Sequence, residues 1–232
     1  MGELAHAPLV SVIVAVKNGE AFLAAALTSI LAQDYRPLEI IVVDGHSKDS
    51  TAQIAQSFEF VRYFIQNQQG IADAYNQGIA AAAGDLIAFL SHDDVWLPSK
   101  ISSQVRLLAE QPEIQYTNTL MKYFLEPGHA IPRGFKTKLL QGAHAGRIME
   151  TLVARKSVFD IVGGFDGDMA LAEDADWYAR ANDLKIPMAV IPAILLHKRI
   201  HNRNASADAA TSNHELLKAL KRSIARKKLL AS

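Results

Sequence analysis

The chain of 232 residues contains no cysteine. This absence excludes a disulfide scaffold, a thiolate metal site and a cysteine nucleophile, and it suits a reducing compartment. The formal net charge is zero, so the total charge does not favour wholesale binding of nucleic acid. No uninterrupted apolar run approaches the roughly 18 residues that a membrane-spanning helix needs. Because the N-terminus also lacks the pattern of a secretory signal, we expect a cytoplasmic protein.

Half of the residues are hydrophobic and 21% are charged, which is typical of a globular protein. No linker rich in proline, glycine or serine divides the chain, so we expect one domain over residues 1–212. Residues 213–232 form a distinct basic segment, in which Glu215 is the one acidic residue. There, Leu216, Leu217, Leu220 and Ile224 fall within about a 100° arc of a helix. This segment is predicted to be a helix that either docks these apolar residues on the sheet or lies on an anionic membrane surface.

Short runs of β-branched and apolar residues alternate with segments of helical periodicity in the first half of the chain. The runs predict buried strands at Leu9–Val16, Leu38–Val43 and Leu86–Leu90 and a further strand at Phe60–Ile65. Helices are predicted between them, the first with Asn18 as its cap. This alternation predicts an α/β fold with a mostly parallel central sheet flanked by helices. The second half is less regular, with an extended segment at Ile114–Leu125, helices from Lys156 and near Ala172–Asp183, and a strand at Met188–Leu196.

Aspartates directly follow two of the predicted buried strands. Asp44 follows the second strand, and Asp93 and Asp94 come shortly after the fourth. Because ligands of open α/β sheets bind outside the carboxyl ends of the strands, these carboxylates should converge on one crevice. Two adjacent carboxylates repel each other unless a cation offsets their charge, and one carboxylate together with a diphosphate is a typical way to hold Mg²⁺ or Mn²⁺. The alternatives are that Asp93 and Asp94 cap the next turn and that Asp44 forms an Asx turn with Ser47.

Further acidic and basic residues occur late in the chain. Asp174 and Asp176 lie at the start of a predicted helix and point about 200° apart, so only one of them can face the crevice. Their alternative role is to complement the helix dipole. His197 to His201 place cations and imidazoles after an apolar strand, where they either stabilise a departing diphosphate or are merely solvated. No P-loop or G-x-G-x-x-G pattern follows a predicted strand, which argues against a P-loop NTPase and a dinucleotide oxidoreductase.

Taken in order, four blocks of the sequence resemble the inverting family 2 glycosyltransferases of the GT-A fold, within the bacterial branch that makes cell-surface polysaccharides. The resemblance covers roughly Leu9 to Ser206. The blocks are VSVIVAVKNGEAFLAAALTSILAQDYRPLEIIVVDGHSKDST, QGIADAYNQGIAAAAGDLIAFLSHDDVWLPSK, VGGFDGDMALAEDADWYAR and KRIHNRNAS. Two positions depart from the common pattern of the family, because Gly45 and Ser91 stand where the family often has aspartate.

The resemblance implies a donor-binding half over about residues 9–100 and an acceptor half over about residues 101–206. It implies Asp174 as the catalytic base, Asp94 and His201 at the metal, and donor-binding roles for Asp44, Asp73, Asp93, Arg199 and His201. Asp44 would contact the nucleotide base and Asp93 the ribose. The implied cofactor is Mn²⁺ or Mg²⁺. The implied partners are a UDP- or GDP-sugar donor and a saccharide or lipid-linked acceptor, with no nucleic acid.

This reading agrees with the chemistry of the residues. A sugar hydroxyl is a poor nucleophile and needs a base, while the charge of the departing diphosphate needs a metal or cations. Competing readings are a sugar-phosphate nucleotidyltransferase, a hydrolase with paired carboxylates and an inactive module that binds nucleotide sugars. Against the nucleotidyltransferase, this sequence has no Gly-rich N-terminal loop with arginine or lysine to bind a triphosphate.

Overall fold

The computed structural model describes residues 7–126, 128, 130–132, 135–202 and 209–230. The first half alternates strands and helices as the sequence predicts. Its elements are β1 (Val10–Val16), α1 (Leu23–Leu31), β2 (Leu38–Asp44), α2 (Thr51–Gln56), β3 (Val61–Ile65), α3 (Ile71–Ala81) and β4 (Leu86–Ser91).

The second half contributes shorter strands and the remaining helices. Its elements are β5 (Val95–Trp96), α4 (Lys100–Glu110), β6 (Tyr116–Leu125), β7 (His144–Ala145), β8 (Val153–Arg155), α5 (Ser157–Val162), α6 (Glu173–Asp183), β9 (Met188–Ile200) and α7 (Ala209–Leu230), with 3-10 turns at Thr137–Leu140 and Met149–Thr151. The predicted helix near Ala172–Asp183 is confirmed as α6, while α4 was not predicted.

Within the described residues, one mixed sheet of nine strands joins the two halves in the order β3-β2-β1-β4-β8-β6-β9-β5, with β7 paired to β6. The pairs among β1, β2, β3 and β4 are parallel, as expected. β8 then pairs antiparallel with both β4 and β6, and β6 pairs in parallel with β9. The α/β class is therefore confirmed, and the parallel arrangement is interrupted at β8.

Apolar side chains fill a layer on each face of the sheet. One layer includes Val12 and Val14 of β1 and residues of α1 and α4, and the other packs Ile13 against α3, α5 and α6. Residues of β1, β2 and β4 are mostly buried on both faces, which explains the continuous apolar runs in their sequences, whereas β3 at the edge of the sheet is only partly buried. The sheet thus holds the carboxyl ends of β1, β2 and β4 rigidly side by side.

The start of α1 differs from the expectation. The helix begins at Leu23 without a side-chain cap, and Asn18 lies before it with a positive φ of 52°. Asparagine tolerates this left-handed conformation, and its Oδ1 accepts the Lys48 backbone N–H at 2.9 Å. The prediction that Asn18 caps α1 is wrong, because its side chain joins two loops at the edge of the sheet instead.

The C-terminal helix α7 begins at Ala209, earlier than the expected residue 213. It packs on α6 through a face that contains the buried residues Glu215, Ala219 and Ser223. Glu215 accepts the backbone N–H groups of Ala170 and Leu171, at 3.0 and 2.7 Å.

The prediction that α7 docks through its apolar residues is therefore wrong, because the face that carries Glu215 and Ser223 makes the contact. Leu216, Leu217, Leu220 and Ile224 are 44–58% exposed. The expected domain boundary at residue 212 falls in the described part of α7, while residues 203–206 of the last resemblance block lie outside the described residues.

Candidate active site

A cavity of about 730 Å³ opens at the carboxyl edge of the parallel strands. The register aligns Val16 of β1 with Asp44 of β2, and Ala15 with Ser91 of β4. Segments after these strands form one wall, and residues from the 3-10 turn at Met149–Thr151, α6 and β9 form the other. The side chains that matter for its chemistry are Lys17, His46, Gln66, Ser91, His92, Asp93, Glu150, Glu173, Asp174 and Lys198.

Asp93 lines this cavity with an ionised carboxylate. Its Oδ2 lies 2.9 Å from Nε2 of His201. Burial acts to raise the pKa of Asp93, but the His201 hydrogen bond and nearby cations outweigh burial and lower it to about 2. The site therefore keeps a negative charge at Asp93 at every physiological pH.

Asp94 points away from the cavity and is fully buried. Its Oδ2 accepts a hydrogen bond from Lys198 Nζ at 2.9 Å, and its Oδ1 accepts the Arg199 backbone N–H at 2.8 Å. Burial raises the pKa of Asp94 to about 7, against the lowering effect of Lys198. The expectation that Asp94 faces the diphosphate is wrong, because adjacent residues in this turn point in opposite directions and Asp94 is the inward one.

Lys198 carries a positive charge on the cavity wall and pairs with Asp94. Its ammonium group binds Asp94 and, at 3.3 Å, Oε1 of Glu150. Burial acts to lower the pKa of Lys198, but these two carboxylates raise it well above its ordinary value. The lysine therefore stays charged and balances part of the acidic cluster.

Arg199 and His201 support Asp93 from behind. Arg199 is 3% exposed, donates from Nε to the Asp93 carbonyl at 2.7 Å, and lies between the rings of Phe22 and Phe124. It also forms an ion pair with Glu126. Arg199 does not line the cavity. It positions Asp93, whereas direct contact with the nucleotide-sugar donor was expected. His201 is close enough to share a ligand with the Asp93 carboxylate.

Asp44 and Asp73 hold loops that border the cavity. Asp44 Oδ1 accepts the Ser47 N–H at 2.8 Å, and Oδ2 accepts the Tyr63 hydroxyl at 2.6 Å. The Asx-turn alternative for Asp44 is thus the arrangement observed, with Gly45 and His46 lining the cavity in its place. Asp73 accepts the Gln68 N–H at 3.0 Å. Neither carboxylate lines the cavity, and their donor-binding roles stay predictions.

The N-terminus of α6 separates its aspartates as helical geometry predicts. Asp174 lines the cavity, whereas Asp176 is 2% exposed and bonds Arg180 at 2.8 Å. Burial, followed by the charge of Glu150, raises the pKa of Asp174 to about 7. Burial and Asp174 raise the pKa of Glu173 to about 8. The prediction that only one of Asp174 and Asp176 faces the crevice is confirmed.

Sequence reasoning missed Glu150 and Lys198 as members of the site. Glu150 lies in the 3-10 turn at Met149–Thr151, in a stretch with no acidic partner nearby in sequence. The Ser91 hydroxyl donates to its Oε1. The sequence shows Lys198 only as one of several cations after the last strand. No local signal marked Glu150, because its neighbours in the site come from β4 and β9.

The described residues contain no group of three or more His, Cys, Asp or Glu side chains that could hold a metal ion by themselves. Asp93, which lines the cavity, nevertheless has an imidazole within 2.9 Å, that of His201. Mg²⁺ commonly takes one or two carboxylates and completes its shell with substrate phosphates and water. This donor set therefore fits a metal ion that binds together with a diphosphate.

Comparison with known proteins gives consistent results. Residues 11–178 match the model of Glycosyl transferase family 2. An uncharacterized glycosyltransferase of Rickettsia typhi is 30% identical over 229 residues, covering 93% of this chain and 70% of that protein. The Escherichia coli UDP-Glc:alpha-D-GlcNAc-diphosphoundecaprenol beta-1,3-glucosyltransferase WfaP is 35% identical over 133 residues, covering 56% of this chain and 51% of that protein.

A similar fold occurs in the mannosyltransferase PcManGT from Pyrobaculum calidifontis, solved in complex with GDP-Man and Mn²⁺. The TM-score is 0.73 at 20% identity, covering 95% of this chain and 65% of that one. The chain spans only 36–37% of two further Rickettsia relatives. The family model matches most of the chain, and a relative at 30% identity covers nearly all of it. The chain therefore belongs to glycosyl transferase family 2.

Proposed function

We propose that the protein transfers a sugar from a UDP- or GDP-sugar to an acceptor hydroxyl in a single displacement with inversion. The observation that carries this proposal is the pair of unlike carboxylates in one cavity. Asp93 has a pKa of about 2, while Asp174 has a pKa of about 7. Environments that separate the pKa values of two carboxyl groups indicate different roles, here a permanent anion and a base. Asp174 can take the acceptor proton as the new bond forms.

We propose that the donor diphosphate lies at Asp93 together with Mn²⁺ or Mg²⁺. Asp93 and His201 would hold the ion, and Asp93 thereby takes the place that the sequence suggested for Asp94. Bound there, the metal would neutralise charge on the diphosphate. Arg199 keeps Asp93 in place by donating to its carbonyl, and Lys198 adds a positive charge to the cavity wall. The Mn²⁺ bound with GDP-Man in the mannosyltransferase relative supports this proposal.

The acceptor and the location of the enzyme are proposals of the same kind. We infer a saccharide or lipid-linked saccharide acceptor in the synthesis of a cell-surface polysaccharide. The diphosphoundecaprenol substrate in the name of the WfaP relative supports a lipid-linked acceptor. Such an acceptor would bring a cytoplasmic enzyme to the inner face of the membrane. No helix in the described part of the chain is both long and apolar enough to cross a membrane.

We propose that α7 makes this membrane contact through its outward face. Leu217 and Leu220 are 58% and 56% exposed, and Leu216 and Ile224 extend the same stripe. Lys221 and Lys228 are exposed and stand one helical turn after Leu217 and Ile224. The acidic residue of this segment, Glu215, faces inward. An apolar stripe bordered by cations suits a surface of anionic lipid headgroups.

A second copy of the chain fits this face less well. A two-fold interface would bring two faces that both carry Lys221 and Lys228 together, with no outward carboxylate on α7 from Glu215 to Leu229 to offset their like charge. We therefore assign the outward face of α7 to anionic lipid.

Exchange of the cavity aspartates tests the donor and metal assignment. Asp93→Asn should weaken Mn²⁺-dependent binding of nucleoside diphosphate by about 10–100-fold, as loss of a metal-site group does. Asp94→Asn should keep most of that affinity and instead lower the thermal midpoint, because it disturbs the buried pair with Lys198. Calorimetry with and without Mn²⁺ measures the affinities. The opposite ranking of the two variants would return the metal to Asp94.

Exchange of the α6 aspartates tests the base. Asp174→Asn should lower turnover by about 10²–10⁴-fold while binding the donor normally. Asp176→Asn is the matched control and should lose far less, because its partner is Arg180. In the native enzyme kcat/KM should fall as the pH drops below about 7, since the base must be deprotonated and the pKa of Asp174 is about 7. A pH-independent rate, or a larger loss in Asp176→Asn, contradicts the assignment.

Vesicle sedimentation tests the outward face of α7. The full chain should bind vesicles of phosphatidylcholine mixed with phosphatidylglycerol at low salt, and bind phosphatidylcholine alone weakly. Leu217→Gln with Leu220→Gln should reduce binding by about tenfold, since it removes much of the apolar anchor. The control exchanges Phe60 and Ile161, which are 70% and 59% exposed elsewhere, for glutamine. Equal binding by both double variants, no binding by the wild type, or a dimer that Leu217→Gln with Leu220→Gln dissolves would reject the lipid assignment.

A further inference from the structure

Glu150 lies beside Ser91, one of the two positions where the family often has an aspartate. Ser91 ends β4 where the family often has aspartate, and it lines the cavity two residues before Asp93. The Ser91 hydroxyl donates to Oε1 of Glu150. A carboxylate is therefore present at this place in the cavity, although it comes from the 3-10 turn at Met149–Thr151 and not from β4.

Glu150 is held rigidly by its surroundings. Its Oε1 accepts both the Ser91 hydroxyl and, at 3.3 Å, the Lys198 ammonium. Its backbone carbonyl accepts the Trp96 indole N–H at 3.0 Å. The residue is 7% exposed. A carboxylate fixed by several donors at a cavity wall is preorganised to accept a hydrogen bond from a ligand.

The second oxygen of Glu150 is available for that purpose. Within the described part of the chain, Oε2 accepts no hydrogen bond that meets normal geometry, whereas Oε1 accepts two. A buried carboxylate without such a role would cost stability. Donor sugars and riboses carry hydroxyl groups, which are the donors that a carboxylate oxygen takes.

We propose that Glu150 is a donor-binding residue that replaces the missing motif aspartate at Ser91 and accepts a hydrogen bond from a hydroxyl group of the nucleotide sugar. This assignment rests on the proposed function, because it requires a nucleotide-sugar donor in the cavity. It also explains why serine suffices at position 91, since a short hydroxyl leaves room for the Glu150 side chain and orients it. A longer acidic side chain at position 91 would instead bring two carboxylates together.

A rescue experiment tests this assignment by calorimetry of UDP- or GDP-sugar binding in the presence of Mn²⁺. Glu150→Gln should weaken binding by about tenfold or more, because a charge-assisted hydrogen bond is lost. Adding Ser91→Asp to Glu150→Gln should restore most of the affinity, since the carboxylate returns from the strand side. Glu39→Gln is the matched control, because Glu39 also accepts a serine hydroxyl, that of Ser11, and pairs with a cation, Arg62, but does not line the cavity. It should leave donor affinity unchanged.

Three results would overturn the assignment: unchanged affinity in Glu150→Gln, no recovery on adding Ser91→Asp, or an equal loss in Glu39→Gln. Should Glu150→Gln fail to fold, Ser91→Ala decides, because loss of the orienting hydroxyl should still weaken binding, and unchanged affinity would reject the role. Failure of the wild type to bind any UDP- or GDP-sugar would instead reject the proposed function itself.

Discussion

The ammonium group of Lys198 holds together the acidic residues at the carboxyl edge of the sheet. It binds Asp94 at 2.9 Å and Glu150 at 3.3 Å, and so joins β9 to the turn after β4 and to the 3-10 turn before β8. Buried carboxylates repel each other and are costly unless a positive charge and hydrogen bonds offset them. Asp93, Glu173 and Asp174 line the same cavity as Lys198 and Glu150. The arrangement of the charged groups in the cavity therefore depends on the two ion pairs of Lys198. Within this cavity, burial raises the pKa of Asp174, whereas His201 and nearby cations lower the pKa of Asp93.

Much of the fold follows from local patterns in the first half of the chain. Continuous β-branched runs such as Leu38–Val43 indicate strands buried on both faces, and β2 is one of them. The helix α4 was predictable as well, because its Ile101, Val105 and Leu108 recur at i, i+4 and i+7 and are all buried. Its Gln104 is fully buried and bonds the backbone of Thr117 and Thr151, which only tertiary structure can reveal. The antiparallel strand β8 is too short for a periodic signal.

The site was predictable where helical or strand geometry fixes a direction. Asp174 and Asp176 differ by about 200° on a helix, so the sequence alone separates them. Asp93 and Asp94 lie in an irregular turn, where the sequence does not determine which side chain faces the cavity. The metal-binding role predicted for Asp94 therefore fell on the side chain that points inward. Glu150 reaches the cavity from a turn that pairs with Ser91 across 59 positions of sequence. A contact of this kind leaves no local trace. The same holds for α7, whose docking face is set by Glu215 meeting the Ala170–Leu171 backbone.

The central claim is a single displacement in which one carboxylate base acts opposite a metal-bound leaving group. The most direct measurement follows, by nuclear magnetic resonance, the anomeric configuration of the sugar first released to water from a UDP- or GDP-sugar in the presence of Mn²⁺. It needs no knowledge of the natural acceptor, because water replaces the acceptor hydroxyl in the same reaction. The account predicts that the first sugar formed has the opposite anomeric configuration to the donor. Release with the donor's configuration retained would contradict it.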